Sequence, residues 1–262
     1  SINDEFTGRD LRLSACVHHP GYEYTKTNGE KLPKQINTTY TYNFYQNVKF
    51  SIEMEENYSK GKNDNDYPIL RYGEVLLNYA EAKAELNNGT LSKEDWDKTI
   101  GALRARAGVA NVYPDGSWNC GWLKAYYGNL SNILTEIRRE RTVELLAEGL
   151  RVNDLYRWKL GNLIVDRQTN NQGWLGVWVP KDQVAGMNYN GGTYTFTATV
   201  PEAGFGYNVS GSKADQNHSF SEGDHGFLTY NYKLEWADKM YVRPIPQTVI
   251  NVNKNIQQNY GW

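Results

Sequence analysis

The amino-acid sequence predicts a mainly α-helical fold, in which paired helices stack and carry long loops with a few short β-hairpins. Apolar residues recur at helical spacing in three stretches between residues 69 and 160. The segments on either side are rich in Gly, Asn and aromatic residues, a composition typical of loops. We therefore divide the chain into a loop and strand segment (1–66), a helical core (67–160) and a loop-rich C-terminal region (161–262).

Charge and hydropathy exclude several classes of protein. The 262 residues include 28 basic and 30 acidic side chains, for a net charge of −2. No strong field therefore favours nucleic acid or an anionic membrane as a partner. The sequence has no run of about eighteen apolar residues, which excludes a transmembrane helix. It opens on SINDEFTGRD without a basic n-region or an apolar h-region, so we expect any targeting signal to have been removed or to lie on residues outside this sequence.

One strand is predicted in the N-terminal segment. Aromatic residues alternate with Thr and Asn over residues 39–44, at the period of a half-buried strand. The two cysteines, Cys16 and Cys120, lie far apart and lack the CxxC spacing of a zinc site or a redox pair. A disulfide and two inert thiols are both compatible with this spacing.

The first predicted helix runs from Ile69 to Leu86 and has two apolar stripes. These stripes are Gly73, Leu77, Ala80 and Ala84 on one side, and Val75, Tyr79, Ala82 and Leu86 on the other. A helix with two apolar stripes is expected to lie between neighbours in a stack, and small residues let one neighbour approach closely. Since the polar strip between the stripes is narrow, we expect further helices of a longer protein to cover this helix.

The second predicted helix begins after Ser92, which forms a near capping box with Asp95, and it ends at Gly108. Its apolar residues at helical spacing are Trp96, Ile100, Leu103 and Ala107. The loop before it has about five residues, a length that joins antiparallel neighbours. The first two helices therefore form a predicted helical hairpin.

The third predicted helix covers residues 133–158 and places charges among apolar residues. Because unpaired buried ions cost several kcal/mol each, we expect Arg141 and Glu148 to be buried and bonded to each other or to a neighbouring helix. The alternative is a solvated face with weak pairs along one helix. A catalytic role for Glu140, Glu144 or Glu148 is disfavoured, since no nucleophile or His accompanies them.

The loop-rich region contains one hairpin signal at residues 188–200. Four Thr residues alternate with Tyr, Phe, Ala and Val after Gly191 and Gly192, which can supply the positive φ of a tight turn. We predict a small hairpin whose Thr side faces water.

Four segments together resemble the SusD/RagB family of nutrient-binding outer-membrane lipoproteins. They are YPILRYGEVLLNYAEAKAEL (67–86), ALRARAGV (102–109), EIRRERTVELLAEGLRVNDLYRW (136–158) and YVRPIPQTVINVNKNIQQNYGW (241–262). Their order and spacing match the family over roughly residues 67–262. The resemblance implies tetratricopeptide-like stacked helix pairs, glycan capture at the cell surface and a partner of the SusC type, a TonB-dependent transporter. It also implies that residues 1–262 are the C-terminal portion of a longer lipoprotein, with a lipid anchor upstream as its only membrane association.

Catalytic and metal-binding motifs are absent from the sequence: it contains no HExxH, GxSxG, P-loop or GxGxxG. We therefore expect no cofactor, no metal and no enzymatic activity. Two alternatives to glycan binding stay open. One is a glycoside hydrolase that uses Glu53, Glu55 or Glu56, and the other is a helical-repeat scaffold that binds protein without a small ligand.

Carbohydrate binding requires flat aromatic faces rimmed by polar groups. Three predicted loops offer them: HHPGYEY (18–24), GSWNCGW (116–122, which also includes Trp122) and QGWLGVW (172–178). The candidate contact residues are His18, Tyr22, Tyr24, Trp118, Trp174 and Trp178.

Overall fold

A computed structural model describes most of the helical region and parts of the segments around it. The described residues are 5–19, 21–33, 36–37, 45–52, 54, 65–164, 174–179, 188–190, 193–200, 205–210, 218–222, 225–230 and 236–262. The predicted strand at 39–44 lies outside these residues. The α-helices are α1 (Leu11–Cys16), α2 (Tyr72–Leu86), α3 (Lys93–Trp96), α4 (Ala102–Arg106), α5 (Gly121–Tyr127), α6 (Asn132–Glu144), α7 (Arg151–Arg157) and α8 (Gln247–Val252).

The predicted helical hairpin is confirmed. Ser92 caps α3 by accepting a hydrogen bond from the Asp95 amide, and a π-helical segment, Asp97–Gly101, joins α3 to α4. α2 packs against this segment and against α6. The core between them contains residues from all these helices: Leu77, Ala80, Ala84, Leu91, Trp96, Ile100, Leu103, Ile133, Leu134, Ile137 and Leu145. Each large apolar side chain buried there contributes about 1.5–3 kcal/mol to folding.

The predicted third helix is two helices, which corrects the single span at 133–158. α6 ends at Glu144, and α7 begins at Arg151 after a turn in which Ala147 and Gly149 have φ of 62° and 78°. Glycine adopts such a φ readily, and this explains the break. Arg141 Nε donates to Asp154 Oδ2 at 2.7 Å across the turn, whereas thirteen residues of straight helix would separate the two by about 20 Å.

Arg141 of α6 and Glu148 of the turn that follows it have buried, paired side chains. Arg141 also donates to Asn78 Oδ1 of α2 at 2.7 Å. The side chain of Glu148 is 7% exposed and accepts hydrogen bonds from Lys49 and Arg71. Arg141 is bonded to neighbouring helices, which is the second of the two arrangements expected. Glu148 is instead bonded to Arg71, the N-cap residue of α2, and to Lys49, which lies outside the helices. The weaker alternative of a solvated face is therefore wrong for these two residues.

α2 buries only one of its two apolar stripes. Gly73, Leu77, Ala80 and Ala84 are buried. Val75, Tyr79 and Leu86 of the other stripe are 44%, 48% and 83% exposed. That further helices of the protein cover this stripe stays a prediction.

The C-terminal region contains more β-structure than we expected. Its strands are β4 (Trp174–Val179), β5 (Asn188–Asn190), β6 (Thr193–Val200), β7 (Phe205–Ser210), β8 (His218–Phe220) and β9 (Gly226–Tyr230). The strands that precede them are β1 (Glu23–Thr25), β2 (Lys31–Pro33) and β3 (Ile36–Asn37). They form sheets in the orders β1-β2, β3-β7-β6-β5 and β4-β9-β8. All pairs are antiparallel except β3 with β7.

The hairpin predicted at 188–200 is confirmed as the pair β5 and β6, in which Asn190 lies opposite Thr193. Its turn at Gly191 and Gly192 lies outside the described residues. The prediction that its Thr side faces water stays a prediction. The prediction of long loops elsewhere in this region is wrong for residues 174–179 and 226–230, where β4 pairs with β9. Such pairing is non-local, and no turn signal marks it in the sequence.

Side-chain amides hold the distinctive C-terminal segment together. Gln258 Oε1 accepts from the Ile245 amide at 2.8 Å, and its Nε2 donates to the Ile245 carbonyl at 2.9 Å. Asn259 Nδ2 donates to the Arg243 carbonyl. These bonds satisfy backbone groups that no regular element pairs, and they explain why the segment needs Gln and Asn.

Both cysteines are free, so the thiol alternative is confirmed over the disulfide. Cys16 is buried, and burial raises the pKa of its thiol.

Candidate functional site

The six predicted contact residues lie on different elements of the structure and differ in burial. His18 and Tyr22 are 1% and 5% exposed, and their rings lie 4.7 Å apart between centroids. The segment that carries them is anchored by the His18 amide, which donates to the Gln46 carbonyl. Tyr24 is half-buried in β1. Because a sugar stacks only on an accessible face, the burial of His18 and Tyr22 weighs against a stacking role for these two.

Trp174 and Trp178 belong to β4, where a Gly-flanked loop was expected. Trp174 lies in register with Tyr230 of β9. Trp178 is half-buried and packs edge-on against Phe227, with 4.9 Å between ring centroids. Its backbone amide donates to Glu5 Oε1 at 3.3 Å. Trp178 therefore takes part in sheet packing and leaves only part of its ring accessible.

Trp118 is half-buried and precedes α5, a helix that sequence reasoning missed. It packs against the small core of Leu123, Tyr127 and Trp158, and Lys124 Nζ lies 5.9 Å from its ring centroid. Trp122, in the first turn of α5, is 68% exposed. The segment predicted as an insertion loop therefore ends in a helix, and this helix carries a solvent-exposed tryptophan.

An aromatic surface on α5 is the strongest candidate site, and we define it by Trp118, Trp122, Tyr126 and Arg151. Trp122 and Tyr126 are four residues apart, and side chains at this spacing are neighbours on one helix face. Trp118 packs against the same small core as Tyr126 and adds a second indole. This set offers aromatic faces together with polar groups, as a sugar requires.

Arg151 of α7 fixes the position of Tyr126. Its Nη2 donates to the Tyr126 hydroxyl at 3.1 Å, and its Nη1 donates to Thr142 Oγ1 at 2.8 Å. The guanidinium lies 5.9 Å from the Tyr126 ring and 5.8 Å from that of Trp158. Three helices, α5, α6 and α7, thus hold the charged group against the aromatic surface, which limits the entropy lost on binding a ligand.

Tyr126 and Arg151 were missed by the sequence interpretation. The segment GWLKAYY (121–127) carried a usable signal, because Leu123 and Tyr127 repeat at helical spacing on its buried side. Trp122 and Tyr126 then fall together on another side. No comparable local signal exists for Arg151, whose contacts lie on other helices.

The buried carboxylates of the helices act as ion-pair partners. Burial alone would raise the pKa of Glu144, yet hydrogen bonds from Arg106 and Arg12 outweigh it and hold that pKa below its ordinary value. The same balance lowers the pKa of Glu81, which accepts from Arg157 and Trp158. These groups stay ionised and fully engaged at neutral pH, so they are poorly suited to donate or accept a proton.

The described residues offer neither a metal site nor a membrane-spanning helix. No group of three or more His, Cys, Asp and Glu is arranged to hold a metal ion there. No helix in the described parts of the chain is long and apolar enough to cross a membrane.

Comparison with known proteins places these features in context. The model of the SusD family matches residues 1–262. A SusD-like protein from Bacteroides fragilis superposes with a TM-score of 0.59 at 19% identity, over 98% of this chain and 40% of that one. The protein BT4246 gives 0.58 at 19% identity, over 97% and 37%. The chain thus spans about two fifths of the length of these structures, and the likeness shows the fold. Curated protein sequences gave no match.

Proposed function

The chain belongs to the SusD family, and from this membership we propose that its protein binds glycans at the cell surface for nutrient uptake. The observation that carries the proposal is the aromatic surface on α5. Trp122 is 68% exposed there, one helical turn from half-buried Tyr126, and Trp118 is half-buried as well. The C–H face of a pyranose stacks on such rings, while hydroxyl and guanidinium groups at the rim bond its hydroxyls.

Transport partners follow from the family. We propose that the protein works with a SusC-like TonB-dependent transporter in the outer membrane and passes oligosaccharides to it. A lipid anchor upstream of this chain would hold the protein at the cell surface. Tyr24, Trp174 and Trp178 remain proposed glycan contacts beside the α5 surface, whereas His18 and Tyr22 would need a rearrangement to take part.

Catalysis is not part of the proposal. SusD-family proteins are generally binding proteins without enzymatic activity. The carboxylates of α6 are engaged by arginines. Glu53, Glu55 and Glu56, on which a hydrolase would depend, lie outside the described residues.

A ligand-free scaffold is the second candidate function. The exposed stripe of α2, Val75, Tyr79 and Leu86, favours it because contiguous exposed apolar surface marks a protein contact. Carbohydrate binding distinguishes the two functions, because a protein-binding scaffold does not require a glycan ligand.

Isothermal titration of the protein against a panel of soluble polysaccharides tests the proposal. We expect at least one glycan to bind with micromolar affinity, without release of reducing ends in a parallel hydrolysis assay. Glycan cleavage by clean protein would replace the proposal with the hydrolase. Failure of every glycan on the panel to bind would favour the scaffold.

A further inference from the structure

Arg151 differs from the other arginines of the helical body. Within residues 65–164, the structure places a carboxylate within 4.0 Å of every other arginine. These pairs are Arg71–Glu144, Arg104–Glu136, Arg106–Glu144, Arg138–Glu85, Arg139–Glu136, Arg141–Asp154 and Arg157–Glu81. No carboxylate of the described residues forms such a pair with Arg151. Its charge is therefore not neutralised by an acid of this part of the chain.

The hydrogen bonds of Arg151 leave donors free for a ligand. A guanidinium has five N–H groups in a planar fork. One N–H of Nη1 bonds Thr142 and one of Nη2 bonds Tyr126, and both acceptors are neutral hydroxyl oxygens. A further hydrogen bond reaches the Tyr127 hydroxyl, which is also neutral, so two N–H groups remain for a ligand. Arg151 is half-buried, so part of its side chain is accessible to solvent.

The rings around Arg151 hold it in place without cancelling its charge. The guanidinium carbon lies 5.8–5.9 Å from the ring centroids of Tyr126, Tyr127 and Trp158. Cation–π contacts at this distance attract the guanidinium weakly and leave it a net positive charge. The charge is thus oriented and partly desolvated before any ligand arrives, which strengthens its pairing with an anion.

We propose that the α5 surface selects an acidic sugar. The carboxylate or sulfate group of the sugar accepts hydrogen bonds from Arg151, and the sugar ring stacks on Trp122 or Tyr126. This inference rests on the proposed function and names its substrate class. Since Arg151 bonds the Tyr126 hydroxyl directly, the charged group lies at the edge of the aromatic face. A uronic acid carries its carboxylate at the rim of the pyranose, where such an edge contact forms.

Titration with matched acidic and neutral glycans tests this inference. The probes are pectate, alginate and hyaluronan, each paired with its carboxyl-reduced form, and dextran sulfate paired with dextran. Because charge-assisted hydrogen bonds are about twice as strong as neutral ones, we expect an acidic form to bind about tenfold more tightly than its partner. The carboxylate and sulfate arms then distinguish the two kinds of anion.

Two variants separate charge recognition from a structural role. Arg151→Gln should lower the affinity for the acidic form by a clearly larger factor than the affinity for its neutral partner, whereas a purely structural arginine would lower both affinities by the same factor. Arg151→Lys should retain part of the preference, because the charge remains without the fork. Lys98→Gln is the matched control, since it removes an exposed positive charge at a side chain that is 69% exposed on another element.

The outcomes also separate this inference from the proposed function. Equal affinity of the wild-type protein for acidic and neutral partners would overturn acidic selectivity and leave glycan binding in place. Absence of binding by every glycan, acidic or neutral, would overturn both. The wild-type comparison needs no variant, so it stays decisive even if Arg151→Gln fails to fold.

Discussion

Arg104 Nε lies 2.9 Å from Glu140 Oε2, and the two side chains are only 2% and 3% exposed. Glu140 Oε1 also accepts a hydrogen bond from Arg12 at 2.6 Å. One carboxylate of α6 therefore joins α4 to the segment that carries α1. Without Glu140, Arg104 would keep Glu136 and Arg12 would keep Glu144 and Asp10, so each arginine would lose one of its carboxylate partners.

We predict that Glu140→Ala lowers the free energy of unfolding by about 1.5–3 kcal/mol, because Arg104 and Arg12 each lose one charged hydrogen bond in a buried site while keeping their other carboxylate partners. Urea denaturation of the variant and the wild-type protein measures this change. Glu94→Ala is the control: it breaks the exposed pair with Lys98 and should change stability by about 0.5 kcal/mol or less. Equal changes in the free energy of unfolding for the two substitutions would show that the buried pairs of α6 stabilise the protein no more than an exposed pair does.

Acid should destabilise the protein through the same network. The folded-state pKa of Glu144 lies below the ordinary value of 4.5, because arginine hydrogen bonds outweigh the effect of burial. The unfolded chain therefore binds protons more readily, and this stabilisation is present above about pH 4.5 and lost as pH falls further. Melting temperatures between pH 7 and pH 3 measure the loss. Glu144→Gln should be less stable at pH 7 and show a shallower decline, and an unchanged slope would contradict this assignment.

Gly73 is required by close packing between α2 and α6. A Cβ at this position would lie 3.0 Å from Glu144 Oε1, an atom that Arg71 holds in place. We predict that Gly73→Ala destabilises the protein by about 1–3 kcal/mol in thermal unfolding. Gly121→Ala, also in a helix, would place its Cβ in open space and should be neutral or slightly stabilising. A neutral Gly73→Ala would mean that Glu144 moves aside at little cost.

The amide clamp at the C-terminus should control local order. Gln258→Leu would leave the amide and carbonyl of Ile245 without their partner. We expect faster hydrogen exchange over residues 243–262, with little change in α2 or α6. The control is Gln257→Leu, at the neighbouring exposed position. Exchange that rises equally in both variants would show that the bonds of Gln258 do not hold the segment.

Helix pairing could be predicted from sequence because its signals are local. Ser92, Trp96, Ile100 and Leu103 cap and bury one helix at positions that periodicity alone identifies. The break after Glu144 was missed, although Gly149 lies in it, because apolar residues keep helical spacing across the turn. A glycine with positive φ is a weaker local signal than a hydrophobic stripe.

The candidate site was harder to predict because its parts come from different helices. The sequence identified Trp118 as a candidate contact. It gave no means of distinguishing the exposed side chain of Trp122 from the buried rings of His18 and Tyr22. Burial depends on contacts between distant segments, such as the bond of the His18 amide to Gln46. Similarly, the sequence does not show which arginines have an acid partner. Only the three-dimensional structure distinguishes Arg151 from the neighbouring arginines, each of which pairs with a carboxylate.

The affinity of Trp122→Ala for the tightest-binding glycan of the panel tests the central claim most directly. Loss of one exposed stacking face should weaken binding about tenfold or more in isothermal titration, with an unchanged melting temperature. Tyr260→Ala removes an aromatic side chain that is 93% exposed elsewhere, and it should bind like the wild-type protein. Wild-type affinity in Trp122→Ala would contradict the assignment of the α5 surface as the glycan site.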